Sequence, residues 1–296
     1  MRVTNSMVLR STMRDLNQSL TRLQSSQTDL STGRVVRKAS DDPTKATAAM
    51  ALRNQVRRSD QRDRSLADAK GWLNTAGATL MSGLDLVNRV KELTVQGSNT
   101  GAGNPSARVA IASEIASIRD ELISLANTQY IDRSIFNGSA GGKAYNATSA
   151  TYLGNAAAVK RDVAPDTVVT VNLTGEDVFG QQAGPTGDLF AVLNRLSTAI
   201  ASGDGATIAA EHTNLDAAAS RIAQATGEVG SRAARLDSIQ SRADAQRGEL
   251  IDALSGIEDT DIAEALMNVK ARENAYTAAL QAAARIIPPS LLDYLR

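Results

Sequence analysis

Apolar residues recur along this chain at steps of four and three. From Ile262 they fall at Leu266, Val269, Tyr276, Leu280, Ala283 and Ile287, with Glu273 the one interruption. A second seam opens the chain at Leu9, Met13, Leu16, Leu20, Leu23 and Leu30, with Gln27 its polar member. Such spacing puts every apolar side chain on one side of a helix. The helix that carries a seam cannot bury it, and each exposed Leu forgoes about 1.5 to 3 kcal/mol that burial would supply. The two ends are therefore expected to meet each other, their copies in neighbouring subunits, or a partner.

Between the seams the pattern predicts a hairpin of long helices. The first helix begins near Asn5 or Ser6 and stops at Gly33, a helix breaker. After the basic turn Arg34 to Lys38, Asp42 is placed to cap a new helix whose first residue, Pro43, loses no hydrogen bond there. That helix carries Leu52, Leu66, Leu73, Leu80 and Val87 on multiples of seven and runs to about Gly97, a length of about 80 Å. The Ser98 to Pro105 stretch is a turn. A third helix with Ile111, Ile115, Ile118, Leu122 and Leu125 ends near Gln129 and is expected antiparallel to the second. Asn137-Gly138, Gly141-Gly142 and the alternation of Val169, Val171 and Leu173 indicate turns and strands. Helix resumes at Asp188 and breaks at Gly203. Ile208, Leu215, Ile222, Val229, Leu236, Ala243, Leu250 and Ile257 then follow at seven-residue steps, a sustained bundle or coiled-coil signal. The phase shifts across Glu258 to Asp261, and Pro288-Pro289 should kink or end the last helix.

The expected architecture is mainly α: a rod of long helices, bundle or coiled coil, formed by the N- and C-terminal regions, with a small inserted β-rich domain. Its divisions are terminal helices at 1–33 and 262–296, a helical bundle at 34–133 and 188–261, and the β-rich insert at 134–187. Aromatic residues make up 3% of 296 residues, which speaks against an ordinary globular core. Lys plus Arg equals Asp plus Glu at 32 each, so no net field draws the chain to nucleic acid or an anionic membrane. Residues 1–62 carry twelve basic and five acidic residues, net +7, and residues 248–296 eight acidic and four basic, net −4. That asymmetry favours the two ends side by side. The absence of cysteine removes disulfides, thiol catalysis and thiolate metal sites. No run approaches the roughly 20 apolar residues of a membrane span, and Arg2, Arg10 and Arg14 interrupt any apolar signal core.

Candidate chemistry is sparse. The single histidine, His212, sits near a core face and lacks co-ligands, so a packed or solvated helix residue is favoured over a metal ligand. Gly138 to Gly142 lacks the Gly-Lys-Ser/Thr of a phosphate loop, and no Gly-x-Ser-x-Gly elbow is present. Arg57, Arg58, Arg62 and Arg64 are interleaved with Asp60 and Asp63 rather than aromatics, which fits a solvated helix face. Capping accounts for Asp41-Asp42 without a catalytic dyad. Asn137, Asn146 and Asn172 each begin an Asn-x-Ser/Thr pattern that recurs by chance. No nucleophile–base pair or cofactor site emerges, and the chain is not expected to be an enzyme or to hold a cofactor or metal.

Several stretches together resemble the flagellin superfamily, and within it the junction proteins between flagellar hook and filament. They are Ala39-Ser40-Asp41-Asp42-Pro43, Gly230 to Asp237, Ile257 to Ala265 and the ending Ser290-Leu291-Leu292-Asp293-Tyr294-Leu295. Tyr152-Leu153-Gly154 and Thr174 to Gly180 agree more loosely. The resemblance implies an extracellular structural protein, secreted through the flagellar type III apparatus, whose terminal helices are disordered before assembly and then form an inner coiled-coil tube. It implies hook-associated protein 1 on the hook side, flagellin on the filament side, copies of itself in a ring, and an export chaperone that holds Ile262 to Leu295. Assembly and chaperone binding would fall on Leu9, Met13, Leu16, Leu20, Leu23, Leu30, Ile262, Leu266, Val269, Tyr276, Leu280, Ile287, Leu291, Leu292 and Leu295. A short filament-forming flagellin and a cytosolic coiled-coil scaffold are the alternatives.

Overall fold

The computed structural model describes residues 5–99, 104–165, 167–182 and 187–286. Seven helices and four short strands follow in order: α1 Asn5–Thr32, α2 Pro43–Asn99, α3 Pro105–Ala126, β1 Gln129–Tyr130, β2 Arg133–Ser134, β3 Lys160–Ala164, β4 Thr167–Thr170, α4 Gly175–Phe179, α5 Leu189–Ser202, α6 Gly205–Glu258 and α7 Ile262–Ile286. Among the described residues no helix is long and apolar enough to cross a membrane. The chain divides into two compact units, Met1–Arg58 with Gln246–Arg296, and Ser59–Ala245.

The larger unit is built on the expected heptads. Leu66, Leu73, Leu80 and Val87 of α2 and Ile208, Leu215, Ile222, Val229 and Leu236 of α6 are all buried. Helix α3 lies antiparallel to α2, with Arg89 of α2 bonded to Glu114 of α3 at 2.9 Å and Gly83 close beneath Leu122. It also packs on α5, where the Ser197 hydroxyl donates to the Ala112 carbonyl at 3.1 Å. Helix α3 ends at Ala126 rather than near Gln129. The Asn127 side chain stops it, donating to the Ile123 and Tyr145 carbonyls at 3.0 Å each. Helix α5 starts on Asp188, whose carboxylate accepts from the Ala191 N–H, and stops at Gly203 in the left-handed region, φ 78°, a backbone that only glycine adopts without cost. Arg195 grips the buried Glu211 carboxylate with two bonds of 2.6 and 3.0 Å. Burial pushes the Glu211 pKa up, but the Arg195 and Asn214 hydrogen bonds overcome it and hold the carboxyl below its usual range.

The stretch 134–187 lies wholly inside the larger unit and shares its apolar core. Strands here are few: β3 pairs antiparallel with β4 through one irregularity, and just before the stretch β1 pairs with β2 through a two-residue turn. The few aromatics of this stretch gather in that core. Phe136, Tyr145, Tyr152, Phe179 and Phe190 form one cluster with ring centroids 5.0 to 5.8 Å apart, and Phe190 brings α5 into it. Such edge-on pairs add to burial. Polar pins complete the attachment, with Arg161 on Asp68 of α2 at 2.6 Å and Arg232 of α6 on the Asn172 carbonyl at 2.8 Å. Asn137 and Asn172 are buried, and their side-chain amides tie the loop backbone internally. Gly71 lets Tyr130 lie against α2, since a Cβ there would meet the phenol oxygen at 2.2 Å.

The smaller unit joins the two ends of the chain. Helix α1 stops at Thr32, and Gly33 turns the backbone at φ 66°. The next residues meet the α6–α7 junction: the Val35 N–H donates to the Glu258 carbonyl at 2.8 Å and the Thr260 N–H to the Gly33 carbonyl at 2.9 Å. Within this clasp the Glu258 side chain is 3% exposed and is held by Arg53 of α2 at 2.7 Å and by Arg34 at 3.8 Å. Asp42 caps α2 by accepting from the Thr44 and Lys45 N–H groups at 3.0 Å. Asp41 accepts from the Lys38 and Arg37 N–H groups, and those bonds hold its carboxyl below the usual range.

Two expected outcomes follow from these buried carboxyls. Burial raises the Asp188 pKa, only partly opposed by the Ala191 cap. A carboxyl whose folded pKa lies above its unfolded value contributes stability that is fully present below the unfolded pKa and is lost as pH rises through the folded one. Asp188→Asn keeps a capping side chain, so its melting temperature should exceed that of the native chain at pH 7, with the gap closing as pH falls toward the carboxylate range. Circular dichroism melts of both chains across that range would check this. Arg53→Ala leaves the Glu258 carboxylate in the clasp with the more distant Arg34 alone; allowing for Arg53 being partly exposed, the cost is about 1 to 3 kcal/mol. Hydrogen exchange at the Val35 and Thr260 amides should accelerate while the larger unit keeps its protection.

Candidate assembly interface

Helices α1 and α7 pack antiparallel, with the Arg272 guanidinium of α7 donating to the Arg22 carbonyl of α1 at 2.8 Å. Each presents one stripe to the other. On α7 the stripe is Ala265, Val269, Tyr276 and Ala283, buried or half-buried; on α1 it is Leu23 and Ser26, buried, with Leu16, Leu20 and Leu30 half-buried. A helix pair covers only about one such stripe on each partner, and both seams are wider than that.

The remaining seam positions are therefore uncovered. Met13 is 55% exposed, Ile262 68%, Leu266 51% and Leu280 43%. On α7, Ile262, Leu266, Glu273 and Leu280 follow four- and seven-residue steps and form a strip beside the buried stripe. The structure thus brings Leu16, Leu20, Leu23, Leu30, Val269 and Tyr276 together in the α1–α7 contact and leaves Met13, Ile262, Leu266 and Leu280 outside it. Leu9 lies in α1 with its side chain outside the described residues, as are Ile287, Leu291, Leu292 and Leu295.

Other exposed groups were not singled out by the heptads. Met7 and Met267 are 64% and 66% exposed and Val35 43%. Met267 follows Leu266 directly, and a period count that admits only steps of three and four passes over it. A hollow of about 320 Å³ lies where the two chain ends are clasped, lined by Asp29, Val35, Asp259, Asp261, Glu264 and Arg272 among others. The run of carboxylates from Glu258 to Glu264 was its sequence signal, read above only as a change of phase.

Elsewhere the polar groups do structural work. His212 lies 3.9 Å from Asp216 on its own helix, and among the described residues no three His, Asp or Glu side chains gather to hold a metal. Arg64 donates to Gln61 at 2.6 Å, and Arg57, Arg58 and Arg64 are exposed.

Comparison with known proteins agrees with this arrangement. The profile of the bacterial flagellin N-terminal helical region matches residues 3–140, and that of the C-terminal helical region residues 212–295. Flagellar hook-associated protein 3 of Escherichia coli is 25% identical over 94% of this chain and 96% of its own length. A flagellin of Bacillus subtilis is 25% identical over 100% of both chains. Polar flagellin E of Vibrio parahaemolyticus is 31% identical over 46% of this chain, which corresponds to 36% of its own length. A flagellar hook-associated protein structure from Vibrio parahaemolyticus shares the fold, with a TM-score of 0.67 at 21% identity over 74% of this chain and 100% of that one. With both terminal helical regions matched, more than half of its length between them, and the fold shared, the chain belongs to the flagellin family of structural proteins of the bacterial flagellum.

Proposed function

We propose that this chain is the adaptor at the junction of flagellar hook and filament, working by packing rather than by chemistry. The observation that carries this is the uncovered apolar strip of Met13, Ile262, Leu266 and Leu280 on the α1–α7 pair. Several large apolar side chains left in water on one helix pair mark a surface that is covered in use. Copies of the same strip, packed side by side, supply an inner ring, with hook-associated protein 1 on one side and flagellin on the other. The end-to-end match to a hook-associated protein 3 supports this placement.

In this account the terminal helices become fully ordered only on assembly, and before that an export chaperone holds the segment from Ile262 onward. The chain leaves the cell through the flagellar type III apparatus. The terminal helices 1–33 and 262–296 act together as the assembly element, whereas the heptads of α2 and α6 serve the internal core. A short filament-forming flagellin is the second reading, favoured by the match to a Bacillus subtilis flagellin over the whole of both chains at the same identity.

Cells lacking this protein should carry hooks without filaments and shed flagellin into the medium, as seen by electron microscopy and immunoblot; normal filaments would overturn the junction role. Leu266→Asp with Leu280→Asp should reduce chaperone binding and abolish filament attachment. Because both side chains lie outside the buried core, the helical circular dichroism signal should stay within about a tenth of the native value.

A further inference from the structure

An asparagine followed by glycine is open to attack by its own backbone, because glycine has no Cβ to shield the amide nitrogen that follows the asparagine. The chain contains this pair once, at Asn137-Gly138. Both residues are buried, Asn137 to 0% exposure. The two protons on Asn137 Nδ2 are shared among three successive carbonyls, Ala140 at 3.2 Å, Gly141 at 3.1 Å and Gly142 at 3.3 Å. The Asn137 carbonyl accepts from the Ala140 and Asn155 N–H groups at 3.3 Å each. Gly138 has φ 64°, and a Cβ there would collide with the Asn155 carbonyl. The turn therefore demands glycine, and with glycine comes the unshielded nitrogen.

The loop is held at its neighbours. Phe136 packs edge-on against Phe179 in the aromatic cluster, and its carbonyl accepts from the Gly175 N–H at 2.9 Å and the Tyr152 hydroxyl at 3.0 Å. The same hydroxyl lies 3.3 Å from the Asn155 carbonyl, and the Asn155 side chain accepts from the Ser139 N–H at 3.0 Å. Asn137 is thus fixed by the contacts that dock the 134–187 segment.

We propose that Asn137 is a site of spontaneous deamidation that docking of this segment closes and its release opens. In the released loop the Gly138 nitrogen bonds to Asn137 Cγ, Nδ2 leaves as ammonia with the proton from that nitrogen, and a five-membered imide forms. Water then adds to one of the two imide carbonyls and breaks its bond to nitrogen, which gives aspartate or isoaspartate. In the docked loop the three carbonyls hold the side chain against the rotation that ring closure needs, and burial keeps out the water and base that the steps consume. The reaction also prevents its own reversal. Aspartate sets an oxygen where Nδ2 stood, facing three carbonyls with no donor, and buries an unpaired charge. Isoaspartate lengthens the main chain by one methylene beside Phe136. A chain left open long enough carries a covalent mark that stops it docking.

The test uses the full-length chain in warm, mildly alkaline buffer, read by mass spectrometry of the tryptic peptide 134–143, whose one side-chain amide is Asn137. Conversion should be slower by more than about tenfold than in the same peptide free in solution, since it must wait for local opening. Tyr152→Phe removes the hydroxyl from the Phe136 carbonyl without adding bulk and should raise conversion several-fold. Gly154→Ala, whose Cβ would meet the Tyr152 hydroxyl and Asn137 Oδ1, should raise it further; if that chain does not fold, its conversion should match the free peptide. Asn137→Asp should melt below the native chain at pH 7, and the deficit should shrink at low pH, where a protonated carboxyl regains one donor. Conversion in the intact chain as fast as in the free peptide, or unmoved by Tyr152→Phe, overturns the gating. An Asn137→Asp chain that melts with the native one overturns the block on docking.

Discussion

An antiparallel helix pair can bury only one stripe on each partner, and the joining of α1 to α7 is governed by that limit. The two ends of the chain hold each other through Leu23 and Ser26 on one side and Ala265, Val269 and Ala283 on the other. Leu266 and Leu280 sit only a fraction of a turn away and are left in water. Had the seam consisted of Val269, Tyr276 and Ala283 alone, the pair would be self-sufficient. The extra apolar positions are the ones the proposed assembly would cover.

The larger unit shows the same heptad spacing put to the opposite use. Leu66, Leu73, Leu80 and Val87 of α2 face the core completely, as do Ile208 to Leu236 of α6, because α3, α5 and the 134–187 segment surround them. The aromatic cluster is the anchor of that segment. With two-stranded sheets too small to stand alone, it holds its shape by sharing Phe190 with α5 and by carbonyl and carboxylate pins to α6 and α2. A shared periodicity therefore leads to an internal core where neighbouring elements are available and to an open strip where they are not.

This explains what the sequence made legible. Helix starts and stops were readable because they rest on single-residue chemistry: Asp42 before Pro43, Asp188 before Leu189, and the left-handed glycines Gly33 and Gly203. The core faces of α2 and α6 were readable because heptads survive over many turns. The anchoring of the 134–187 segment was not readable, since five aromatics spread over more than fifty residues carry no local signal that they meet. The division of each terminal seam into a covered and an uncovered half was equally hidden. Spacing fixes which side of a helix is apolar, and only the partner's width decides how much of that side is covered. Glu258 read only as the start of a phase change, and its burial depends on Arg53 and Arg34, distant in sequence.

Charge completes the picture. The net positive start and net negative end of the chain suggested ends lying side by side. Among the described residues the attraction between them is concentrated on one carboxylate, Glu258, with Arg34 and Arg53, while Arg37 turns to Asp29 within the N-terminal region itself. The helix pair is held by apolar packing and backbone bonds. Exposed ion pairs contribute little to stability in any case, so keeping Glu264, Arg57 and Arg58 out of intramolecular pairs costs the fold almost nothing. What such charges do provide is a field at the surface, felt over roughly 8 Å at physiological salt.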